Sequence, residues 1–263
     1  MNSYLDASEL FKTSFNTDDF FETINASYVR SNLVKALDDD KCPLIFLLGD
    51  PGVGKTYMLN IIQEKYKSNK KILFSSDPLS SPESLLYFLL EDNIEDKQAS
   101  IGTIKDKVIS IYKNIENIII LDEAQLLNTS TLEYIRVLSD TGYFKFIISM
   151  HKKEGEDILK KKHFSSRPHI ILTLEKLEKN EILKYIQAQL FKNSFGEVAN
   201  LFTAKQTKEL LKHSNGNFRM LKQLVKHILL IMNYAKENGI KKYTKPNKCV
   251  ITMSAIDLGY IDV

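Results

Sequence analysis

Only two cysteines, Cys42 and Cys249, occur in the 263 residues, and they stand in no metal-ligand spacing. That scarcity argues against a disulfide framework or a cysteine-held metal and points to a reducing, cytosolic setting. The first residues, Met1-Asn2-Ser3-Tyr4-Leu5-Asp6, lack the basic stretch and apolar core of a signal peptide. No apolar run approaches the roughly 18 residues needed to span a bilayer. Charge of one sign is also missing: 36 basic residues face 33 acidic ones, for a net charge of +3. So small an excess permits a local contact with nucleic acid but names no partner. Repeats and low-complexity tracts are absent. These absences predict a cytoplasmic chain without a membrane span, peripheral to the inner membrane only through a partner.

What is present is ordinary globular composition, 43% hydrophobic and 26% charged, long enough for one large domain or two modest ones. Residues 1–42 carry Phe11, Phe15, Phe20 and Phe21, then Tyr28, Val29, Leu33 and Leu37 near helical spacing; they are expected to pack on a core domain. From 43 to 174, apolar strands (Leu44–Leu48, Ile72–Ser75, Ile118–Leu121, Phe144–Ser149, His169–Leu172) alternate with helical stretches at Thr56–Tyr66, Pro82–Glu91, Ser100–Lys113 and Thr129–Leu138. That alternation predicts an α/β fold with a parallel sheet flanked by helices. From 175 to 263 the strand signals stop. Amphipathic patterns at Glu178–Lys192, Ala204–His213 and Phe218–Asn238 predict a small all-α domain, with a short last helix over Thr252–Gly259 after a turn at Thr244–Lys248.

The most informative stretch is Gly49-Asp50-Pro51-Gly52-Val53-Gly54-Lys55-Thr56. It follows the apolar run Pro43–Leu48 and opens a helix beginning Tyr57-Met58-Leu59. Strand, glycine loop and helix form the context in which such a loop cradles a polyphosphate. Glycines let the backbone turn its N–H groups inward at a helix N-terminus, where negative charge is favoured. Lys55 is expected to face the β- and γ-phosphates, the Thr56 hydroxyl to ligate Mg²⁺, and Tyr57 to complete the binding set. A nucleoside triphosphate, ATP with Mg²⁺, is the expected ligand.

About 65 residues later the strand Asn117-Ile118-Ile119-Ile120-Leu121 ends in Asp122 and Glu123. In this setting Asp122 is expected to hold Mg²⁺ and Glu123 to activate the attacking water. An acidic turn that merely ends a strand is the plainer reading, and the phosphate loop upstream argues against it. Asp122-Glu123-Ala124-Gln125 is also akin to helicase motifs. Such enzymes generally pair two nucleotide-binding lobes, and this chain has room for one.

The order of these features resembles the AAA+ P-loop ATPases, and within them the ExeA/GspA-like group related to TniB- and MuB-type transposition ATPases. The likeness is carried by Leu121–Gln125 followed by Leu132-Glu133-Tyr134-Ile135-Arg136-Val137-Leu138. Leu177–Ile182, Tyr185-Ile186, Leu190 and Leu201-Phe202-Thr203 extend it, and Ser214-Asn215-Gly216-Asn217-Phe218-Arg219 resembles the opening of a sensor 2 helix. The resemblance implies that residues 175–263 form a lid and that Arg219 reaches the γ-phosphate. It implies that Arg167, in Ser165-Ser166-Arg167-Pro168, acts as a finger toward a neighbour's site in an ATP-dependent homo-oligomer. Where the group usually has Gly-Gln-Pro, this chain reads Ser149-Met150-His151, so that Ser149 or His151 takes the water-orienting place. Lys152, Lys153 and Lys160–Lys162 form the clearest basic cluster, open to DNA or simply solvated. The implied role is a cytosolic motor or switch for a membrane-associated machine such as type II secretion or DNA uptake. The alternatives are a DNA-bound ATPase of transposition or replication loading, and a nucleotide-gated interaction protein with negligible turnover.

Overall fold

The computed structural model describes residues 4–12, 20–39, 42–77, 79–91, 100–113, 115–160 and 168–261. The chain divides into two compact units. One comprises Ile24–Asp50 and Lys55–Leu174; the other comprises Met1–Thr23, Pro51–Gly54 and Glu175–Val263.

The first unit is built on a five-stranded, wholly parallel sheet: β1 (Leu44–Gly49), β2 (Lys71–Ser75), β3 (Asn117–Leu121), β4 (Phe144–Met150) and β5 (His169–Leu174), in the order β2-β3-β4-β1-β5. Every residue of β1 and β3 is buried, so these strands read as continuous apolar runs rather than alternating ones. Each fully buried Leu or Ile contributes about 1.5–3 kcal/mol, which makes the central strands the firmest part of the unit. Helices α2 (Ile24–Asp38), α3 (Lys55–Tyr66), α4 (Pro82–Leu90), α5 (Ile101–Tyr112), α6 (Thr129–Ser139) and α7 (Lys152–Leu159) belong to this unit. α2 lies against β5 and α3, with the C-terminal Leu37 carbonyl accepting from Lys70 and Lys145. Two cations there suit the negative end of a helix. The β1 register pairs Leu48 with Met150 and Thr173, so the loop after β1 leaves the sheet beside the carboxyl ends of β4 and β5. In open parallel sheets ligands bind at that end.

The second unit is helical: α1 (Tyr4–Glu9), α8 (Lys179–Lys192), α9 (Gly196–Ala199), α10 (Thr207–Ser214), α11 (Phe218–Glu237) and α12 (Lys248–Asp257). The core stripe of α11, Leu221, Leu224, Val225, Ile228, Leu229 and Met232, recurs at helical spacing. Tyr185 sits at its centre, edge-on to Phe11, Phe21 and Phe218.

Three sequence expectations change. Residues 1–42 do not act as one segment on the α/β core: Ala7 and Phe11 complete the apolar core of the helical unit, while α2 packs on the sheet. Phe15 lies outside the described residues. The last helix begins at Lys248 rather than Thr252, because Asn247 caps it by accepting from the Val250 N–H at 3.0 Å. Lys152–Leu159, read only as part of a basic cluster, is a helix.

The helical unit also buries a histidine. His213, in the last turn of α10, is 4% exposed, and neither ring nitrogen has a hydrogen-bond partner among the described residues. Burial, aided by the Lys212 charge and opposed by Glu209, lowers its pKa from 6.5. The unfolded chain therefore takes up the proton first, and the stability present above pH 6.5 is lost as pH falls toward the folded value. Urea titrations at pH 7.5 and 5.5 are expected to show a larger loss of stability for the native chain than for His213→Leu. Equal losses in both would contradict the buried neutral imidazole.

Candidate functional site

The Gly49–Thr56 loop joins β1 directly to α3, whose first residue is Lys55. Gly54 has φ +103°, a conformation that a side chain strains, and a Cβ built there meets nothing within 4 Å. Backbone conformation rather than crowding therefore requires this glycine. Lys55 is 5% exposed, and its Nζ donates to Gly49 O at 2.9 Å and to Asp50 O at 3.3 Å. A buried lysine held against the loop's own carbonyls places its donors where anionic oxygens could also accept from them.

Asp122, just past β3, is the junction of the site. Its N–H donates to Ser75 O at 2.9 Å, tying it to the end of β2. Oδ2 accepts from the Thr56 hydroxyl at 2.6 Å, and Oδ1 accepts from Ser149 Oγ at 2.7 Å and from the Glu123 N–H at 3.0 Å. Through its N–H and its carboxylate Asp122 thus links β2, β3, β4 and the first turn of α3, all within one unit. A hydroxyl and a carboxylate in contact on rigid element ends fit a hard cation such as Mg²⁺. Among the described residues no three His, Cys, Asp or Glu gather around a common point. Mg²⁺ held by one or two protein oxygens is completed by phosphate oxygens and water. When bound, it supplies charge neutralisation on the phosphates.

Glu123 adopts a left-handed backbone, φ 50° and ψ 35°, at the head of a short 3₁₀ turn over Ala124–Leu126. Its carboxylate accepts from Gln125 Nε2 and lies 3.6 Å from His151 Nε2. Ser149 is fully buried against Asp122, whereas His151 is partly exposed beside Glu123. The two residues expected to compete for one role therefore serve different carboxylates. Ser149's bond and Gln125's contact were invisible in the sequence, because both cross between strand ends that only the sheet order brings together.

Arg219 is exposed in the first turn of α11 in the helical unit. Asn217 caps that helix, and Gly216, φ +69°, is required because a Cβ there would come within 2.6 Å of Leu177 O. Arg167 lies outside the described residues, as do Lys161 and Lys162. Lys152 and Lys153 open α7 beside Glu154, Glu156 and Asp157, and Lys160 bonds Asp157 at 3.0 Å, so the described part of that cluster is charge-balanced. Arg136 bonds Glu133 at 2.6 Å and Asp140 at 3.1 Å, a helix-surface role.

Residues 38–159 match the family model described as AAA domain. No curated protein matches the chain in sequence. In fold, the chain is similar to Cdc6p from Pyrobaculum aerophilum, with TM-score 0.61 and 16% identity, over 88% of this chain and 66% of that one. A structure of Drosophila ORC bound to DNA aligns with TM-score 0.65 and 13% identity, over 96% and 65%. The Holliday junction branch migration motor RuvB of Thermotoga maritima gives 0.55 and 18%, over 93% and 72%. The chain spans about two thirds of the Cdc6p and ORC chains. The phosphate loop, the sheet order and the match over residues 38–159 give this part of the chain an AAA-type P-loop fold and support an ATPase that takes ATP with Mg²⁺. No helix among the described residues is long and apolar enough to cross a membrane.

Removing the Ser149 hydroxyl takes away one of the bonds that orient Asp122. Partners behind a metal ligand typically carry about 10- to 100-fold in metal affinity. Ser149→Ala is therefore expected to raise the Mg²⁺ concentration giving half-maximal ATPase rate by about 10-fold or more, while the fold is retained. An unchanged magnesium titration would separate Ser149 from the metal site.

Proposed function

We propose that this chain works as an ATP-hydrolysing switch or motor that assembles with copies of itself on binding ATP. The observation carrying this reading is the Asp122 junction, where Thr56 and Asp122 present oxygens to Mg²⁺ and Glu123 follows directly in sequence. In this reading Gly49–Tyr57 wraps the triphosphate, Lys55 faces the β- and γ-phosphates, and Glu123 draws the proton from the attacking water. Arg219 reaches the γ-phosphate from the helical unit, and Arg167 completes a neighbouring subunit's site. For the partner, the likeness to the ExeA/GspA-like group supports a membrane-associated machine such as type II secretion or DNA uptake.

A second reading, a DNA-bound ATPase of transposition or replication loading, is favoured by a specific charge asymmetry. Residues 205–248 carry eleven basic residues and two acidic ones in a chain of net charge +3. Lys236, Lys241, Lys242, Lys245 and Lys248 are all exposed around the turn between α11 and α12. Of these, only Lys248 has a carboxylate within 4.0 Å among the described residues. Unpaired lysines in that number suit a phosphodiester backbone.

The experiment is single-turnover and steady-state hydrolysis with Glu123→Gln, and with Lys55→Ala and Arg167→Ala mixed. Glu123→Gln should bind ATP yet turn over roughly 100-fold more slowly. The mixture should regain activity, because the Lys55 variant lends its finger to the other's intact site, and arginine fingers contribute about 10³-fold or more. Unchanged turnover in Glu123→Gln would remove the proposed base, and an inactive mixture would remove the trans finger. Added duplex DNA should stimulate turnover in a salt-sensitive way under the second reading and leave it unchanged under the first.

A further inference from the structure

The turn that follows β3 doubles back on itself. Glu123 is left-handed, and the 3₁₀ turn Ala124–Leu126 closes behind it through Leu126 N–H to Glu123 O at 3.1 Å and Leu127 N–H to Ala124 O at 3.1 Å. This geometry brings the Gln125 side chain back to the Glu123 carboxylate, where Nε2 donates to Oε2. The other end of the same amide, Oε1, accepts from the His151 N–H at 3.4 Å, a long bond to the turn that follows β4. The His151 ring lies 3.6 Å from the same Glu123 Oε2. Reversing the amide would set its oxygen against a carboxylate oxygen and its NH₂ against an N–H, so only this orientation satisfies both ends.

We infer that Gln125 is a positioning residue for hydrolysis, fixing one oxygen of Glu123 so that the other is presented to water, and tying that carboxylate to the His151 turn. The inference rests on the reading of Glu123 as the base. A glutamate side chain turns about three bonds, and Glu123 is partly exposed, so without a tether its lone pairs point in many directions. Gln125 removes that freedom at Oε2, and among the described residues no donor bonds Oε1. A base that must meet a water in line with a phosphorus atom gains most from such restriction, since small misplacements of reacting groups cost large factors in rate. Because the amide also touches His151, which heads α7, a displacement of α7 would reach Glu123 through a single side chain. Sequence position alone hides this, as Gln125 looks like a surface residue ending a strand.

The test measures ATP binding, thermal midpoint, KM and kcat for Gln125→Ala and Gln125→Met, alone and combined with Glu123→Gln. Methionine keeps the length of the side chain and removes both hydrogen-bonding ends, so it guards against a variant that misfolds. Each single variant is expected to lower kcat by about 10- to 100-fold, with KM for ATP and thermal midpoint unchanged. In the Glu123→Gln background the same changes should lower the residual rate no further, since the carboxylate they orient is gone. An unchanged or raised kcat beside an inactive Glu123→Gln would overturn the positioning role alone. A further loss in the double variants would also overturn it, because Gln125 would then act elsewhere. Full turnover in Glu123→Gln would overturn the base itself, a separate result.

Discussion

One carboxylate, Asp122, holds the strand ends in the arrangement that the chemistry requires. It sits where β3 stops, 5% exposed, and receives donors from the first turn of α3, from β4 and from its own neighbour Glu123. A buried carboxylate without donors would cost several kcal/mol, and here three hydrogen bonds offset that cost. Those bonds also fix the distance between Thr56 at the start of α3 and the turn bearing Glu123. The parallel sheet supplies the rest, since its order sets β3 and β1 on either side of β4. Loss of Asp122 would therefore disturb two things at once, the oxygen paired with Thr56 and the spacing of α3 from the Glu123 turn.

Around this junction the site uses backbone geometry that ordinary residues avoid. Gly54 at φ +103° is open to solvent on its Cβ side, whereas Glu123 at φ 50° is a left-handed position held by a residue with a long side chain. Non-glycine residues in that region cost of the order of 1–2 kcal/mol and persist where surrounding contacts enforce them. The 3₁₀ turn and Gln125 are the contacts that do so here. Strain and tether thus lie within Glu123–Gln125, while Asp122 just before them is anchored to the sheet.

Much of this was legible in the chain. Strands β1 and β3 stood out because parallel strands buried on both faces are unbroken apolar runs, and the glycine loop between β1 and α3 carries a spacing with a mechanism. What escaped sequence reading depended on neighbours distant in the chain. Ser149 gave no signal for its bond to Asp122, and Gln125 gave none for its contact with His151. Helix α7 was missed because its lysines were read only as a basic cluster; within it a Cβ on Gly155 would meet the Leu48 side chain at 2.4 Å, so the glycine serves close packing against β1. The start of α12 was set too late because Asn247 looked like part of a turn rather than a cap. Phe11 was read as packing on the sheet domain, although its partner, Tyr185, lies 174 residues away in the helical unit.

The most direct measurement is calorimetry of ATP binding, with Mg²⁺ and with the metal chelated, on the native chain and on Asp122→Asn. Asparagine retains the shape of the junction and removes its charge. The account predicts that Mg²⁺ strengthens ATP binding to the native chain and gives little or no gain in the variant, while the two bind metal-free ATP alike. A variant that keeps the full magnesium-dependent gain would contradict Asp122 as the residue that holds the cation.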